Sequence, residues 1–114
     1  MKDDTLYLIH ISECIQKIEA YTAEGKEYFM ATPMAQDAVI RNFEIIGEAV
    51  KNLSDDFRRR NPEVPWRRVA GFRDVLIHDY MGVSLDEVWN IIQTTMSGLK
   101  QFVREKLEEL GYGG

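Results

Sequence analysis

Cysteine and histidine are scarce in this sequence, and their scarcity excludes several classes of protein. The 114 residues include one cysteine and two histidines. A single cysteine excludes an internal disulfide and is typical of a reducing compartment. So few nitrogen and sulfur ligands also argue against a structural zinc site. We therefore expect a cytoplasmic protein without a structural zinc site. No other cofactor is expected.

Long apolar runs and strand-like patterns are missing as well. No apolar run approaches the roughly 20 residues of a membrane-spanning helix. The first ten residues, MKDDTLYLIH, are acidic and lack the basic-then-apolar order of a signal peptide. No stretch alternates between apolar and polar residues for long enough to indicate a strand. We expect no membrane association, an all-α fold and, at this length, a single domain over residues 1–114.

Helical periodicity is clear in the first half of the chain. A first helix is predicted from Asp3 or Asp4, either of which can cap it, to about Gly25. The apolar face expected for this helix consists of Leu6, Ile9, Ile15, Ile18 and Thr22. A second helix is predicted over residues 32–53, because it begins with a threonine cap followed by proline. Residues 25–31 either extend the first helix after a kink or form a connector.

The second half predicts three further elements. A short turn or helix is expected over residues 54–61, and a central amphipathic helix over 66–82. Ser84, with Glu87 at the capping-box position, starts a last helix that continues to the glycine-rich tail. The predicted architecture is an antiparallel four-helix bundle with a short extra helix.

Arginine is concentrated in one stretch of an otherwise acidic chain. The net charge of −5 argues against loose, charge-driven binding along nucleic acid. Most of the arginines nevertheless fall within residues 58–73, with Glu63 the only acid among them. They are Arg58, Arg59, Arg60, Arg67, Arg68 and Arg73. A locally basic surface suits a specific phosphate-bearing ligand, and the alternative is a solvated surface whose arginines pair with acids elsewhere.

Two groups of side chains could carry chemistry. The central segment contains Arg73-x4-His78-x-Tyr80: a guanidinium, an imidazole that titrates near neutrality and a phenol. Asp74, four residues before His78, is placed to hold the imidazole and favour its charged form. Glu44 and Glu48 form a second group on the second helix, where surface ion pairs with nearby basic residues are at least as good an interpretation as acid–base work.

These residues and their flanks resemble a known family. The R-x4-H-x-Y pattern stands among RNFEIIGEAVKNLS (41–54), PEVPWRRVAGFRDVLIHDY (62–80) and VSLDEVWNII (83–92). This combination, which covers most of the chain, resembles the HEPN superfamily and within it the HepT-like toxins of HEPN/MNT toxin–antitoxin modules. The resemblance implies a toxin of a type VII-like toxin–antitoxin module that cleaves RNA as a metal-independent endoribonuclease.

The resemblance also implies roles for particular residues. Arg73 and His78 would be catalytic, and Asp74 and Glu44 would support them. The other arginines of the basic stretch would bind RNA: Arg58, Arg59, Arg60, Arg67 and Arg68. Tyr80 would accept AMP from a partner, a cognate minimal nucleotidyltransferase acting as antitoxin. Asp74 stands where many HEPN sequences have asparagine, and it adds negative charge beside the phosphate site.

Helix geometry raises a difficulty for a site built on one chain. Residues five apart, such as Arg73 and His78, lie about 140° apart around an ideal helix and would not face the same spot. Either the helix ends or distorts near His78, or the site gathers groups from two chains. The resemblance to HEPN proteins implies the second arrangement, a homodimer whose paired motifs face each other across a two-fold axis. Two other functions stay open: a non-catalytic HEPN nucleotide-binding or helper subunit of a nucleotidyltransferase, and a plain helical dimerisation module.

Overall fold

The structure, a computed structural model, describes residues 2–71 and 84–112. These residues form helices joined by short connections, in the order α1 (Lys2–Thr22), α2 (Lys26–Ala31), α3 (Pro33–Asn52), α4 (Asp55–Arg60), α5 (described over 66–71), α6 (Leu85–Gln93) and α7 (Thr95–Glu109). No strand occurs within the described ranges. The all-α prediction is therefore confirmed.

Within those same ranges, none of the helices combines the length and the apolar character that crossing a membrane requires.

The hydrophobic core is organised around α1, which packs against both α3 and α7. Four residues of α1 spaced three and four apart carry the buried stripe, each at most 2% exposed: Leu8, Ile11, Ile15 and Ile18. The predicted stripe was partly wrong, because Leu6 is 49% exposed. Apolar residues occur on more than one side of α1, and only the positions of α3 and α7 select the stripe that is buried.

Two helix boundaries differ from the prediction. The first helix ends at Thr22, and Gly25, with φ of 99°, starts α2 in a conformation that suits glycine. The predicted last helix is two helices, since Thr94 has φ −110° and ψ −83° and separates α6 from α7. The carbonyl of Asn90 accepts both the backbone N–H of Thr94 at 3.0 Å and the Thr94 hydroxyl at 2.8 Å. This break is not evident from the continuous apolar pattern.

The helix caps are also distributed differently. Pro33 is the first residue of α3 as predicted, but the Thr32 side chain does not cap that helix and instead donates to the carbonyl of Tyr28 at 2.6 Å. Ser84 caps α6 by accepting from the backbone N–H of Glu87, as predicted. Either Asp3 or Asp4 was expected to cap α1, but both lie inside that helix, and Asp4 bonds elsewhere.

Asp4 connects α1 to the start of α4. Its buried carboxylate accepts from the backbone N–H of Ser54 at 2.7 Å and from the Ser54 hydroxyl at 2.8 Å. Ser54 is the N-cap of α4, and its hydroxyl oxygen accepts from the backbone N–H of Phe57 at 3.1 Å. A single buried carboxylate therefore holds the helix that carries three of the arginines.

An aromatic cluster holds α4 and α5 against α7. The rings of Phe57, Trp66 and Phe102 lie 5.5 to 6.2 Å apart, centroid to centroid. The indole N–H of Trp66 donates to the carbonyl of Asn61 at 2.9 Å, and the Asn61 side chain donates to the carbonyl of Phe57 at 2.8 Å. Trp66 is thus a core residue with a satisfied N–H, which fixes the direction in which α5 begins.

Candidate nucleic-acid interface

The predicted site residues divide into two groups. Arg73, Asp74, His78 and Tyr80 lie outside the described residues, so their catalytic, supporting and modification roles stay predictions. The other arginines of the basic stretch and Glu44 lie within the described part of the chain. The geometry below concerns this second group.

A shallow groove at the junction of α3, α4 and α5 brings basic side chains together. Its volume is about 690 Å³, and it is lined by Lys51, Asp55, Arg58, Arg59, Trp66, Arg67, Ala70 and Gly71. We call it the basic groove, because, of the described residues that line it, four are basic and one is acidic. It extends along α5 to Gly71, two residues before Arg73 in the chain. The structure therefore gathers three of the predicted RNA-binding arginines and adds Lys51, which was not predicted.

The arginines of α4 are paired with acids of the same helix. The Nη2 atom of Arg58 lies 2.5 Å from Oδ1 of Asp55. Arg60 pairs with Asp56 at 3.0 Å, and Arg59 approaches the same carboxylate at 3.9 Å. The alternative of a self-paired surface thus holds for α4. The sequence carries a signal for this pairing, because Asp55 and Asp56 stand three or four residues before their arginine partners, a spacing that brings side chains together on a helix.

Arg67 and Arg68 differ from the arginines of α4. Both are exposed on α5, and within residues 2–71 and 84–112 no carboxylate comes within ion-pair distance of either. Arg67 lines the basic groove, whereas Arg68 does not. Successive helical residues point about 100° apart, which accounts for this difference. Arg67 is accordingly the arginine best placed to meet an anion in the groove.

Arg58 carries one unusual feature. Its Nε atom is buried without a hydrogen-bond partner, although the side chain as a whole is 29% exposed. A buried N–H without an acceptor is unfavourable. Its Nη2 atom pairs with Asp55, which also lines the groove, so the tip of the Arg58 side chain lies at the groove while its Nε atom is buried.

Glu44 lies in a different groove, between α1 and α3. That groove has a volume of about 390 Å³, and Tyr7, His10, Arg41 and Glu48 are among its other lining residues. Arg41 pairs with Glu44 at 3.4 Å, so the ion-pair interpretation of this glutamate is confirmed. No lining residue is shared between this groove and the basic groove. The supporting role of Glu44 stays a prediction.

The described residues outside the basic groove offer no better candidate site. A groove of about 670 Å³ between α1 and α7 is lined by three glutamates against one lysine and one arginine. Cys14 is buried, and burial raises the pKa of its thiol, so it is a core residue rather than an activated nucleophile. Within residues 2–71 and 84–112, no three His, Cys, Asp or Glu side chains are grouped to hold a metal ion.

The fold and the basic groove define a helical protein with a localised cationic surface beside α5. The chain belongs to the HepT-like ribonuclease family, whose sequence model matches residues 11–105. The family suggested by the central motif and its flanks is therefore confirmed.

Curated relatives agree with this family. The chain is 42% identical over 110 residues, 96% of its length and 98% of the relative's, to a Caldanaerobacter subterraneus protein named "putative RNase". It is 46% identical over 95 residues, 82% of its length and 86% of the relative's, to the "probable ribonuclease HepT" of Thermococcus cleftensis.

A longer relative also matches. The chain is 44% identical over 110 residues, 96% of its length, to a Methanocaldococcus jannaschii protein named "gamma-glutamylcyclotransferase and putative RNase". It spans about half of that protein, 50% of its length. No solved structure matches the chain.

Proposed function

We propose that this protein is a metal-independent endoribonuclease that acts as the toxin of a toxin–antitoxin module. The observation that carries the proposal is membership of the HepT-like ribonuclease family across most of the chain. The basic groove supports it, because four basic side chains beside one acid favour a polyanion. Arg67 would contact the RNA backbone there, together with Arg58 and Arg59, which also line the groove. Arg60 and Arg68 lie outside the groove and would contribute less.

The chemistry assigned to Arg73 and His78 needs no metal ion. The 2′-oxygen of RNA attacks the adjacent phosphorus after a base removes its proton. The 5′-oxygen then leaves and is protonated, which yields a 2′,3′-cyclic phosphate. His78 would transfer the proton, and the Arg73 guanidinium would bind the phosphoryl oxygens as negative charge develops on them. Asp74 would orient the imidazole and favour its charged form.

A homodimer fits this chemistry better than one chain. In a regular helix Arg73 and His78 would diverge by about 140°. Two copies facing each other across a two-fold axis would bring an arginine of one chain near a histidine of the other. A monomeric mass at concentrations where the protein cleaves RNA would contradict this arrangement.

Silencing by a partner enzyme completes the proposal. A minimal nucleotidyltransferase would direct the Tyr80 oxygen onto the α-phosphorus of ATP, with pyrophosphate leaving and AMP retained. The added phosphate would repel RNA from a cationic cleft. Co-expression with an active partner should add one or more AMP masses to the peptide that contains Tyr80. An unmodified peptide would contradict this part alone.

Growth assays distinguish the toxin from a non-catalytic helper subunit. Expression of the chain alone should arrest growth, and His78→Ala should abolish the arrest. His10→Ala is the matched control, since His10 is an exposed histidine of α1 remote in sequence from the motif. Arrest that persists in His78→Ala at equal expression would contradict the catalytic role of His78.

A further inference from the structure

We propose that Asp55 is a built-in competitor for RNA phosphates, so that RNA occupies the basic groove by taking Arg58 from Asp55. The inference rests on the proposed function, since it requires RNA to enter this groove. Asp55 is the one carboxylate among the described residues that line the groove. It pairs with the guanidinium of Arg58, which lines the same groove.

The exposure of the two partners determines which of them moves. The Asp55 side chain is 86% exposed, whereas the Arg58 side chain is 29% exposed. The carboxylate can therefore turn into water with little loss of packing, while Arg58 stays on the groove wall. An exposed ion pair between residues three apart on a helix is weak, so its exchange is readily reversible.

The contact geometry favours a phosphate as the replacement. The pair with Asp55 uses the Nη2 atom, and the buried Nε atom of Arg58 is out of reach of a ligand. A phosphate approaching from the groove would meet the outer Nη1–Nη2 edge and receive two parallel bonds, a geometry that guanidinium and phosphate share. The same approach would bring the phosphate toward Arg67, whose guanidinium has no carboxylate partner among the described residues.

Asp55 therefore sets how tightly the groove holds RNA. In the free protein it neutralises one cation of the groove, which limits loose binding to any polyanion. In the complex it is a negative charge left beside the RNA backbone. The prediction is that removal of this charge strengthens RNA binding, opposite to the effect of removing a groove arginine.

The experiment measures the affinity of the full chain for a fluorescent, fully 2′-O-methylated oligoribonucleotide, which cannot be cleaved through its 2′-oxygen. Asp55→Asn should bind about two- to fivefold more tightly at about 0.1 M salt, where the Debye length is about 10 Å, the range expected when a weak exposed pair is removed. Asp55→Ser is the second variant, since serine also tolerates the start of a helix.

Asp86→Asn is the matched control. Asp86 is likewise an exposed first-turn aspartate, it pairs with Lys26 at 3.2 Å, and it does not line the basic groove. Its replacement changes the net charge equally, so it should alter affinity by less than about 1.5-fold, because salt screens distant charges. Equal affinities of Asp55→Asn and Asp86→Asn would overturn the proposal while leaving RNA binding itself intact.

A double-mutant cycle tests the role of Arg58. If Asp55 acts through Arg58, the gain from Asp55→Asn should fall by at least half in an Arg58→Gln background. An undiminished gain would overturn the exchange and indicate simple repulsion. Absence of binding by both the wild type and Asp55→Asn would overturn the proposed function and this inference together, an outcome distinct from the other two.

Discussion

Replacement of Asp4 tests whether the structure correctly connects α1 to the arginine-bearing helix α4. Asp4 is 3% exposed and accepts two hydrogen bonds from Ser54, at 2.7 and 2.8 Å. Asp4→Ala would leave the buried backbone N–H of Ser54 without a partner and remove a restraint on the cap of α4. Each bond to a charged group contributes about 1.5–3 kcal/mol, partly offset by the cost of burying the carboxylate. We expect the free energy of unfolding to fall by about 2–4 kcal/mol.

Urea unfolding followed by circular dichroism measures this change. Asp3→Ala is the matched control, because Asp3 is exposed in the same first turn and carries the same charge. It should cost at most about 0.5 kcal/mol, the usual range for exposed substitutions. Asp4→Asn keeps one acceptor oxygen and should fall between the two. Equal midpoints for Asp4→Ala and Asp3→Ala would refute the contact between α1 and α4.

Two further predictions concern the groove and the core. Arg67→Gln should weaken binding of the methylated oligonucleotide about three- to tenfold and reduce the slope of log affinity against log salt by about 0.7. Arg60→Gln, which removes an arginine paired with Asp56 outside the groove, should change affinity less than about twofold. Equal losses of affinity in the two variants would contradict RNA binding in the basic groove. Burial raises the pKa of the Cys14 thiol above its ordinary 9.0 and keeps it protonated in the fold, so stability should decline as the pH rises through 9 and Cys14→Ala should remove that part of the decline. A native thiol that reacts with a disulfide reagent as fast as the urea-unfolded chain would contradict its burial.

The sequence predicts where the helices start better than it predicts which of their faces are buried and which helices contact each other. The starts of α3, α4, α5 and α6 are marked by a proline or a serine cap, and these local signals survive in the fold. The buried stripe of α1 and the break at Thr94 depend on which neighbours pack there, and residue spacing does not encode neighbours. The contact between Asp4 and Ser54 spans 50 residues, which places it beyond any local pattern.

The sequence indicated which arginines form the basic surface, but not how much of their charge is offset by neighbouring acids. The concentration of arginines in 58–73 correctly indicated a basic surface. The charge of the arginines on α4 is offset by Asp55 and Asp56 at helical spacing, which a linear count of charges within 58–73 leaves out. The contribution of Lys51 arises from the packing of α3 beside α5, a tertiary feature. The unpaired positive charge of the groove is therefore smaller than the sequence alone indicates. Arg67 is the lining arginine that has no carboxylate partner among the described residues.

Cleavage of RNA by the purified, unmodified protein in excess EDTA tests the central claim most directly. We expect the wild type to cleave and to leave 2′,3′-cyclic phosphate ends. His78→Ala should lose activity by at least about 100-fold, as expected for loss of an acid–base group. Arg73→Ala should lose a similar factor, because a group that stabilises the developing negative charge is removed. Arg60→Ala should retain activity, and a DNA copy of the substrate should stay intact because it lacks the attacking 2′-oxygen. Absence of cleavage by the folded wild type, or cleavage that survives both motif substitutions, would contradict a ribonuclease built on Arg73 and His78.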